Sequence, residues 1–422
     1  MAVTFAVALV GLGDLRTSLE WGLTLMLIWG VAVVVLPAPS VSPTRVFYVA
    51  VLIRFIVLFS PVALSDDIFR YLWEGRAVLM GGNPYVDPPG SGIWPEDILR
   101  VQVNHSQILT VYPPVALWIF AMLAQIAYSP VVVKVAMGLA DAVVAWGIAD
   151  ILKGRGRSTS GAWIYALHPL AVVESAGSGH LEPVAILCVV LAIRAWDRGD
   201  SGLWWAGLGA LVKLFPVVLI ATVWRRGWNQ LWLLLLVTVL TTVPFLGEWT
   251  ELSTGLMHYA RHWSFNGSVY AVLSVVFGSL TRPLLIAVGV GVCLWAWRRR
   301  SDPAEVALWA GGAFVLLSPT VHPWYVLWAW VPALICGVRA WSVLATLVLL
   351  SYAVLASYDP LTSTWEEPLW PPFVEYLVFL PALLLEWLWR RTPPEPSASG
   401  RSVNPSLLPS QITPDLSIQD RH

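Results

Sequence analysis

The segment 65–76 carries charged side chains at spacings that suit acid–base chemistry. Asp67, Arg70 and Glu74 stand at positions i, i+3 and i+7 and therefore share one face of a predicted helix. Asp66 and Asp67 are adjacent carboxylates, and a guanidinium group one helical turn away can hold them ionised. Because an ionised carboxylate can accept the proton of an attacking hydroxyl group, this pair is a candidate general base.

A purely structural role for the two carboxylates is the alternative interpretation. Ser65 is a suitable N-cap, and acidic residues in the first turn favour the positive end of the helix dipole. However, adjacent acids at the mouth of an apolar span are costly near lipid and by default mark a functional site. Ile68, Leu72 and Leu79 form another face, so the helix should lie in the membrane surface until the glycines and proline of 81–84 end it.

The composition indicates that lipid is the main solvent of the chain. Of the 422 residues, 57% are hydrophobic and only 12% are charged, and the mean hydropathy is +0.70. This leaves too little polar surface to cover a water-soluble globule. The apolar runs 21–37, 46–63 and 230–246 approach the roughly 20 residues that cross a bilayer as a helix. The sequence therefore predicts an all-α, polytopic transmembrane bundle, and it offers no basic block for nucleic acid.

Basic residues give the predicted orientation, because positively charged loops stay on the cytoplasmic side. The loops between the basic clusters fall on the opposite side and hold most of the side chains that could do chemistry. These outer loops are 65–110, 174–182, 248–282, 318–323 and 358–372. The basic clusters lie at 153–157, Arg194 and Arg198, Arg225 and Arg226, 298–300, Arg339, and Arg390 and Arg391.

Two apolar stretches cannot cross the membrane if the loops on either side of them lie where their charges place them. Residues 202–224 separate two cytoplasmic basic clusters and should form a re-entrant hairpin with Lys213 near its tip. Residues 113–127 should lie along the outer leaflet without crossing. The remaining runs predict about 12 crossings, with an internal N-terminus that is not removed as a signal peptide. A membrane domain over 1–391 and a disordered cytoplasmic tail over 392–422, rich in Pro and Ser, follow.

The remaining residue types add structural expectations. Arg54, in the middle of an apolar run, should form an internal ion pair. The three Cys lie far apart in apolar runs, so packing is expected and a disulfide is not. Acidic and His residues are too scattered for a metal site, and any catalysis should need no metal or cofactor. Tryptophans beside the outer loops fit an interfacial aromatic belt; they are Trp94, Trp249, Trp263, Trp324, Trp365 and Trp370.

Short motifs follow one another in order along residues 46–332. They are Asp66-Asp67-Ile68-Phe69-Arg70-Tyr71, Gly82-Asn83-Pro84-Tyr85, Tyr112-Pro113-Pro114, Glu174 with Gly177-Ser178-Gly179-His180, Lys213-Leu214-Phe215-Pro216, Tyr259-Ala260-Arg261, Phe265-Asn266-Gly267-Ser268 and Ser318-Pro319-Thr320-Val321-His322-Pro323-Trp324-Tyr325. Together they resemble the GT-C class of membrane glycosyltransferases, in particular bacterial polyprenyl-phosphomannose-dependent mannosyltransferases. The first and last motifs are the most specific. His168 and Glu182 differ from the residues usual at their positions in related sequences.

The resemblance implies an inverting, single-displacement transfer of a sugar, with mannose favoured, from a polyprenyl-phosphate carrier. In that comparison Asp66 corresponds to the base that takes the proton of the acceptor hydroxyl, with Asp67 as its neighbour or substitute. Arg70 would keep the pair ionised. The other substrate-binding candidates are Arg70 itself, Glu74, Asn83, Tyr85, Glu174, His180 and His262.

A leaving lipid phosphate gains negative charge, so such a site needs cations or hydrogen-bond donors near the bilayer surface. Arg261, His322, Tyr325 and Lys213 are the candidates in or near the outer loops. Structural roles are the alternatives for three of them. Arg261 could anchor the chain at the interface, His322 could cap a helix, and Lys213 could pair with a buried carboxylate such as Asp141.

Two other function classes fit a protein with many spans. A lipid-linked sugar transporter or flippase usually shows paired repeats and charges near the midplane, whereas these acids gather at the outer interface. A non-catalytic scaffold would leave the acidic pair without a purpose. The favoured hypothesis is a multi-pass membrane enzyme with an extracytoplasmic active site. Its partners would be a polyprenyl-phosphate sugar donor, a glycan or glycolipid acceptor and the bilayer.

Overall fold

The computed structural model describes residues 1–62, 64–93, 97–246, 253–359, 362 and 364–391. These residues form helices, and within them extended pairing is limited to isolated bridges such as that between Phe265 and Thr320. The all-α class predicted from the sequence is therefore confirmed. The expectations for Trp94, Trp249 and the tail 392–422 lie outside the described residues.

Turns and longer loops, such as the one between α4 and α5, join the helices. Segments of 3-10 helix lie between several of them, one spanning Val348–Ser357, and a π-helix spans Val173–Gly177. The helices are α1 (Ala2–Gly11), α2 (Leu19–Val35), α3 (Pro43–Val57), α4 (Asp67–Leu79), α5 (Pro114–Ile126), α6 (Pro130–Gly154), α7 (Ser160–Leu167), α8 (Pro169–Val172), α9 (Glu182–Asp197), α10 (Leu203–Val212), α11 (Val217–Val223), α12 (Trp228–Thr242), α13 (Thr254–His262), α14 (Ser268–Phe277), α15 (Thr281–Arg299), α16 (Pro303–Leu317), α17 (Leu327–Cys336), α18 (Trp341–Leu347) and α19 (Trp370–Arg391).

Apolar side chains cover much of the outside of the bundle. Val275 is 87% exposed and Leu385 is 66% exposed, each beside other exposed apolar residues. A water-soluble protein does not present such a surface, so lipid must cover it. Four helical segments of the described chain are long and apolar enough to cross a membrane: Pro130–Gly154, Trp228–Phe245, Ser268–Arg299 and Trp370–Arg391. The chain is therefore a membrane protein.

Several other apolar helices are short because breaks divide them. Pro169 separates α7 from α8, since its ring removes a hydrogen-bond donor and clashes with the preceding turn. The π-helix Val173–Gly177 then continues the same segment. The number of crossings, about 12 from the apolar runs, therefore stays a prediction.

The chain reverses direction at Lys213, as the sequence predicts. α10 runs towards Lys213, which is extended, and α11 runs back from it. The two ends of this hairpin are in contact, because Gly227, after α11, packs against Leu203 at the start of α10. At the tip, Lys213 forms an ion pair with Glu182 at the start of α9.

A buried ion pair ties α3 to α6 and α7. Arg54 donates from Nε to Asp141 at 2.7 Å, and Tyr165 donates to the same carboxylate. Arg54 also donates to the carbonyl oxygen of Ala166 at 2.9 Å. The internal ion pair predicted for Arg54 is confirmed. The structural alternative for Lys213, pairing with a buried carboxylate, is confirmed with Glu182 as the partner, whereas Asp141, the example suggested, pairs with Arg54.

The arginine-rich turns and the acidic segment lie at opposite ends of the bundle. Arg155 binds Asp197 and Asp302, which joins the ends of α6 and α9 to the turn before α16. At the other end of α6, Lys134 donates to the carbonyl oxygen of Ser60, just before the acidic segment. Lys134 and Arg155 are about 30 Å apart along the helix, at 1.5 Å per residue.

Helix α4 confirms the helix predicted over 65–76, but its surroundings differ from the prediction. Residues 68–75 are all buried, including Arg70 and Glu74. The following loop covers the polar face: Arg70 donates to the carbonyl oxygens of Asn104 (2.8 Å) and His105 (2.9 Å), and Thr110 donates to Glu74 (3.0 Å). A buried guanidinium needs such acceptors, so the polar face belongs to the interior of the protein.

Helix α5 packs against α4 at a position that only glycine allows. A Cβ atom on Gly75 would lie 2.2 Å from the carbonyl oxygen of Phe120. No side chain shift can relieve this contact, because the obstacle is backbone. Gly75 therefore fixes how closely the acidic helix approaches α5.

We expect Gly75→Ala to force α4 away from α5 and to lower the free energy of unfolding by about 1–3 kcal/mol. The measurement is the denaturation midpoint of the purified protein in detergent. The matched control is Gly154→Ala at the end of α6, where nothing lies within 4 Å of the added Cβ. Equal midpoints for the two variants would contradict the packing argument.

Candidate active site

A cavity of about 920 Å³ opens beside the acidic segment. The first loop, α11, α13, α15, α16 and the segment 318–325 surround it. Most of the lining is apolar, and the charged side chains gather at one end. Those that reach the cavity are Arg16, Asp66, Asp67, Arg70, Lys213 and Arg282.

Both carboxylate oxygens of Asp66 are engaged. Arg16, in the turn between α1 and α2, donates to Oδ1 at 2.6 Å. The Tyr358 hydroxyl, which follows α18, donates to Oδ2 at 3.2 Å. These two contacts hold the Asp66 carboxylate in a fixed orientation and occupy both of its oxygens.

Asp67 has the more available carboxylate of the pair. No described residue donates a hydrogen bond to its oxygens, and its nearest ionic neighbour is His180, with Nε2 3.9 Å from Oδ2. Its side chain is 25% exposed, compared with 14% for Asp66. Since both residues line the cavity, the second carboxylate is the one open to a ligand.

Arg70 reaches the cavity, and Glu74 lies behind it. Arg70 Nη1 is 3.5 Å from Glu74 Oε1, and Glu74 is fully buried. Burial raises the pKa of Glu74 to about 7, against the opposite effects of Arg70 and of the Thr110 hydrogen bond. Glu74 therefore holds Arg70 in place and has no surface for a ligand.

Lys213 enters the cavity between two aromatic rings. Its Nζ lies 5.9 Å from the ring centroid of Tyr112 and 5.6 Å from that of Tyr325, a geometry in which ring quadrupoles attract the cation. Glu182 balances the charge through Oε1. The other oxygen of Glu182 is buried without a hydrogen-bond partner among the described residues.

The segment before α17 brings His322 and Tyr325 to the cavity. The hydroxyl oxygens of Tyr325 and Tyr259 are 2.9 Å apart, and the rings of His322 and Trp324 stack at 4.5 Å. Removal of water by this enclosure lowers the pKa of His322 to about 3. The ring is therefore neutral at neutral pH and offers a hydrogen bond without a positive charge.

The predicted phosphate cation Arg261 does not line the cavity. Arg261 and His262 lie exposed at the end of α13. Arg282, in the first turn of α15, does line the cavity, although the sequence reasoning did not select it. Its guanidinium donates to the carbonyl oxygens of Ala260 (2.8 Å) and Trp263 (2.7 Å). In the described part of the chain, no carboxylate lies within 4 Å of it.

An apolar groove continues from the polar end of the cavity between α11, α15 and α16. The lining residues of α15 recur at i, i+3, i+4 and i+7, so they form one helical face. This face is about 22 Å long at 1.5 Å per residue. At its far end, Trp297 donates to the carbonyl oxygen of Ala221 in α11 at 2.5 Å. The α15 residues are Arg282, Leu285, Ile286, Gly289, Val290, Cys293, Leu294 and Trp297.

Three tryptophans expected in an interfacial belt lie at the cavity instead. Trp324 is buried and stacks on His180, with 3.7 Å between ring centroids. Trp263 and Trp365 flank His105, at 4.6 Å and 5.8 Å between centroids, and all three line the cavity. The belt interpretation was wrong for these residues, because contacts between distant loops decide their positions.

Asn83 and Tyr85 fix the first loop and do not line the cavity. Asn83 Nδ2 donates to the Phe245 carbonyl oxygen at 3.1 Å, and the Tyr85 hydroxyl donates to that of Tyr112 at 2.6 Å. Tyr85 is buried. These contacts hold the ends of the loop that covers the polar face of α4.

Glu174 and His180 also lie outside the cavity lining, directly behind the acidic pair. Both are fully buried, and His180 Nε2 is 3.0 Å from the hydroxyl oxygen of Ser65, which does line the cavity. Their effect on a ligand must therefore pass through neighbours that line the cavity, which are Ser65, Asp67, Trp324 and Tyr352.

The described residues include possible metal ligands and three cysteine thiols. Within them, no three His, Cys, Asp or Glu side chains lie close enough together to hold a metal ion. Cys188, Cys293 and Cys336 are free thiols, and Cys188 is buried.

Two family descriptions match this chain. Residues 110–319 match Glycosyltransferase family 87, and residues 264–387 match the MptB C-terminal domain. The acidic pair lies before both matched regions, so these matches carry no role for it. No solved structure matches the chain.

The chain is similar to two curated proteins of Corynebacterium glutamicum. It is 26% identical over 339 residues to alpha-(1->6)-mannopyranosyltransferase B, which covers 66% of this chain and 56% of that protein. It is 26% identical over 156 residues to alpha-(1->6)-mannopyranosyltransferase A, which covers 35% of this chain and 31% of that protein. The chain thus spans about half the length of the first relative and a third of the second. Together with the two family matches, these likenesses confirm the resemblance drawn from the motifs: the chain is similar to membrane mannosyltransferases, residues 110–319 resemble Glycosyltransferase family 87, and residues 264–387 resemble the MptB C-terminal domain.

Proposed function

We propose that this protein transfers a sugar from a polyprenyl-phosphate carrier to a hydroxyl group of a cell-envelope glycan or glycolipid. The observation that carries the proposal is the continuity of the cavity. An apolar groove about 22 Å long leads to the Arg282 guanidinium and to the open carboxylate of Asp67. A lipid tail, a phosphate and an acceptor hydroxyl group match these three parts in that order.

Asp67 is the general base in this proposal. The acceptor oxygen bonds to the anomeric carbon while the bond from that carbon to the phosphate oxygen breaks, and the acceptor proton passes to Asp67. The electron pair of the broken bond leaves with polyprenyl phosphate, and attack from the opposite face inverts the configuration. A carboxylate suffices because the proton moves late, when the anomeric carbon has oxocarbenium character.

Asp66 orients the segment and does not accept the proton. The motif comparison gave Asp66 the role of base, with Asp67 as its substitute. The contacts of Asp66 with Arg16 and Tyr358 support the reverse order, because they occupy both of its oxygens. The same contacts tie the acidic segment to the turn before α2 and to the end of the 3-10 helix Val348–Ser357.

Arg282 and Lys213 are the proposed cations for the leaving phosphate. Arg282 stands at the head of the apolar groove, and the described residues give it no competing carboxylate. Lys213 reaches the cavity from the hairpin tip, next to the Tyr325 hydroxyl. Preorganised cations and donors stabilise the charge that develops on a leaving phosphate. The exposed Arg261 has no part in this arrangement.

The proposed reaction takes place at the extracytoplasmic face. Positively charged turns stay in the cytoplasm, and the turns around Arg155 lie at the end of α6 opposite to the acidic segment. The polar end of the cavity then opens on the other side. A polyprenyl tail in the groove would lie within the bilayer.

Mannose is the proposed sugar. The two relatives named above are mannopyranosyltransferases, and the motifs resemble those of mannosyltransferases. Aromatic rings of Trp263 and Trp365 border the cavity near the acidic pair, where sugar rings of the donor or acceptor would lie.

We expect Asp67→Asn to reduce sugar transfer by at least about a hundredfold, the usual contribution of a general base. The measurement is the formation of a new glycosidic bond from polyprenyl-phosphate mannose by the full-length protein in liposomes. Asp66→Asn is the matched control, and we expect a smaller loss from it because it disturbs only the contacts to Arg16 and Tyr358. Full turnover by Asp67→Asn, with none by Asp66→Asn, would show that Asp66 is the base.

We expect Arg282→Gln to raise the KM for the polyprenyl-phosphate donor about tenfold or more, because it removes charge-assisted hydrogen bonds worth roughly 1.5–3 kcal/mol. Arg282→Lys keeps the charge and should recover part of the affinity. The matched control is Arg261→Gln, 21 residues earlier and outside the cavity, whose KM should stay at the wild-type value. Equal increases in Arg282→Gln and Arg261→Gln would contradict the phosphate assignment.

A further inference from the structure

A buried glutamate–histidine pair lies directly behind the open carboxylate of the cavity. The ring of His180 donates from Nδ1 to Glu174 Oε2 at 2.8 Å, since an ionised carboxylate can only accept. The other oxygen, Oε1, accepts from the Tyr352 hydroxyl at 2.7 Å. The second ring nitrogen, Nε2, lies 3.0 Å from Ser65 Oγ and 3.9 Å from Asp67 Oδ2.

The backbone around this pair is unusual in two ways. Glu174 lies in the π-helix Val173–Gly177, a form that often marks functional sites. Gly179 then adopts φ +72°, where only glycine is unstrained, and a Cβ atom there would lie 2.7 Å from Ile68 Cδ1. Through these two features the chain turns sharply enough for the His180 amide to donate to the Glu174 carbonyl oxygen at 2.9 Å.

The ring of His180 has a fixed direction. It stacks on Trp324 with 3.7 Å between centroids and is fully buried. Because Glu174 binds Nδ1 and Trp324 covers one face of the ring, the edge of the ring that carries Nε2 is directed at the acidic segment. A buried charge pair is costly, and such a pair is weak evidence for a purely stabilising role.

We propose that His180, held by Glu174, is a positioning residue that fixes Ser65 and presents a positive charge to the Asp67 carboxylate. This inference rests on the proposed function, in which Asp67 is the general base. His180 does not line the cavity, whereas its neighbours Ser65, Asp67 and Trp324 do, and the proposed effect passes through Ser65 and Asp67. Ser65 completes the link, because its hydroxyl oxygen accepts from the Asp67 backbone amide at 3.3 Å.

The charges around His180 support its cationic form. Burial lowers its pKa, but the hydrogen bond and charge of Glu174, with the charges of Asp67 and Glu182, raise it above the ordinary value. A cation about 4 Å from a carboxylate favours the ionised carboxylate, which is the form that a base requires. The other titratable or charged groups around this cluster include Glu74, His105, Tyr112 and Tyr259, together with His322, Tyr352, Lys213, Arg70 and Tyr71.

The test uses Glu174→Gln, which keeps the size and the acceptor for Tyr352 but removes the charge that holds the proton on His180. Without that cation, the ionised carboxylate that acts as the base is less favoured. The acid limb of the kcat–pH profile should therefore move to higher pH, by about one unit or more. Turnover should therefore fall more at pH 6 than at pH 8.

The matched control is Ser175→Ala, in the same π-helix turn. It removes a buried hydrogen bond to the Ala171 carbonyl oxygen without removing a charge, and its acid limb should stay at the wild-type pH. His180→Gln should move the limb as Glu174→Gln does. A limb that stays in place in both charge-removing variants, or that moves equally in Ser175→Ala, would overturn the inference.

A second measurement needs no turnover. The 13C signal of the Asp67 carboxyl group, identified by its loss in Asp67→Asn, is titrated in the full-length protein in nanodiscs. We expect its midpoint to rise in Glu174→Gln and not in Ser175→Ala, and an unchanged midpoint would refute the inference. If the wild-type protein forms no glycosidic bond, the proposed function fails, whereas this titration still decides whether His180 acts on Asp67.

Discussion

Charges in an apolar protein need partners, and the way they are paired determines which side chains around the cavity stay available. Arg54 pairs with Asp141 in the core, Arg70 with Glu74 under the first loop, and Lys213 with Glu182 at the hairpin tip. Desolvation makes an unpaired charge in such surroundings expensive. The first and third pairs therefore each join two elements of the fold, whereas Arg70 and Glu74 lie one turn apart on α4.

The charged groups of the cavity lining that have no hydrogen-bonded partner of opposite charge among the described residues are the candidates for binding and catalysis. Of the two carboxylates in the cavity lining, Asp66 is paired with Arg16, and Asp67 accepts no hydrogen bond from the described residues. Of the lining cations, Arg282 donates to two backbone carbonyl oxygens and lies over the ring of Tyr270, with no carboxylate of the described residues within 4 Å. The proposed transfer from a lipid phosphate needs a base and a cation, and Asp67 and Arg282 are the groups proposed for these roles.

Local patterns in the sequence predicted those parts of the fold that depend on residues close together in the chain. Alternating charge and apolar spacing predicted α4, the parity of basic clusters predicted the reversal at Lys213, and the mid-span position of Arg54 predicted an internal partner. Composition alone predicted the all-α membrane class. These features depend on helical periodicity and on the cost of charge in lipid, and both can be read from a single chain.

Contacts between distant segments decided what the sequence could not predict. Arg261 and Arg282 are both basic residues of one predicted outer loop, but only Arg282 begins the helical face that lines the groove. The helical spacing of residues 282, 285, 286, 289 and 290 is the sequence signal that indicates this face. The partnership of Arg16 with Asp66 joins residues 50 positions apart, and no local pattern indicates it.

The groove along α15 determines how a lipid substrate would arrive. Ile286, Val290 and Leu294 line it, and they are also 66%, 53% and 43% exposed at the apolar surface of the bundle. A long-chain lipid would therefore enter sideways, by two-dimensional diffusion among its neighbours, without leaving the hydrocarbon layer. Its effective abundance would be a mole fraction in the leaflet, so diluting the membrane with inert lipid would slow the reaction even when the amount per volume stays constant.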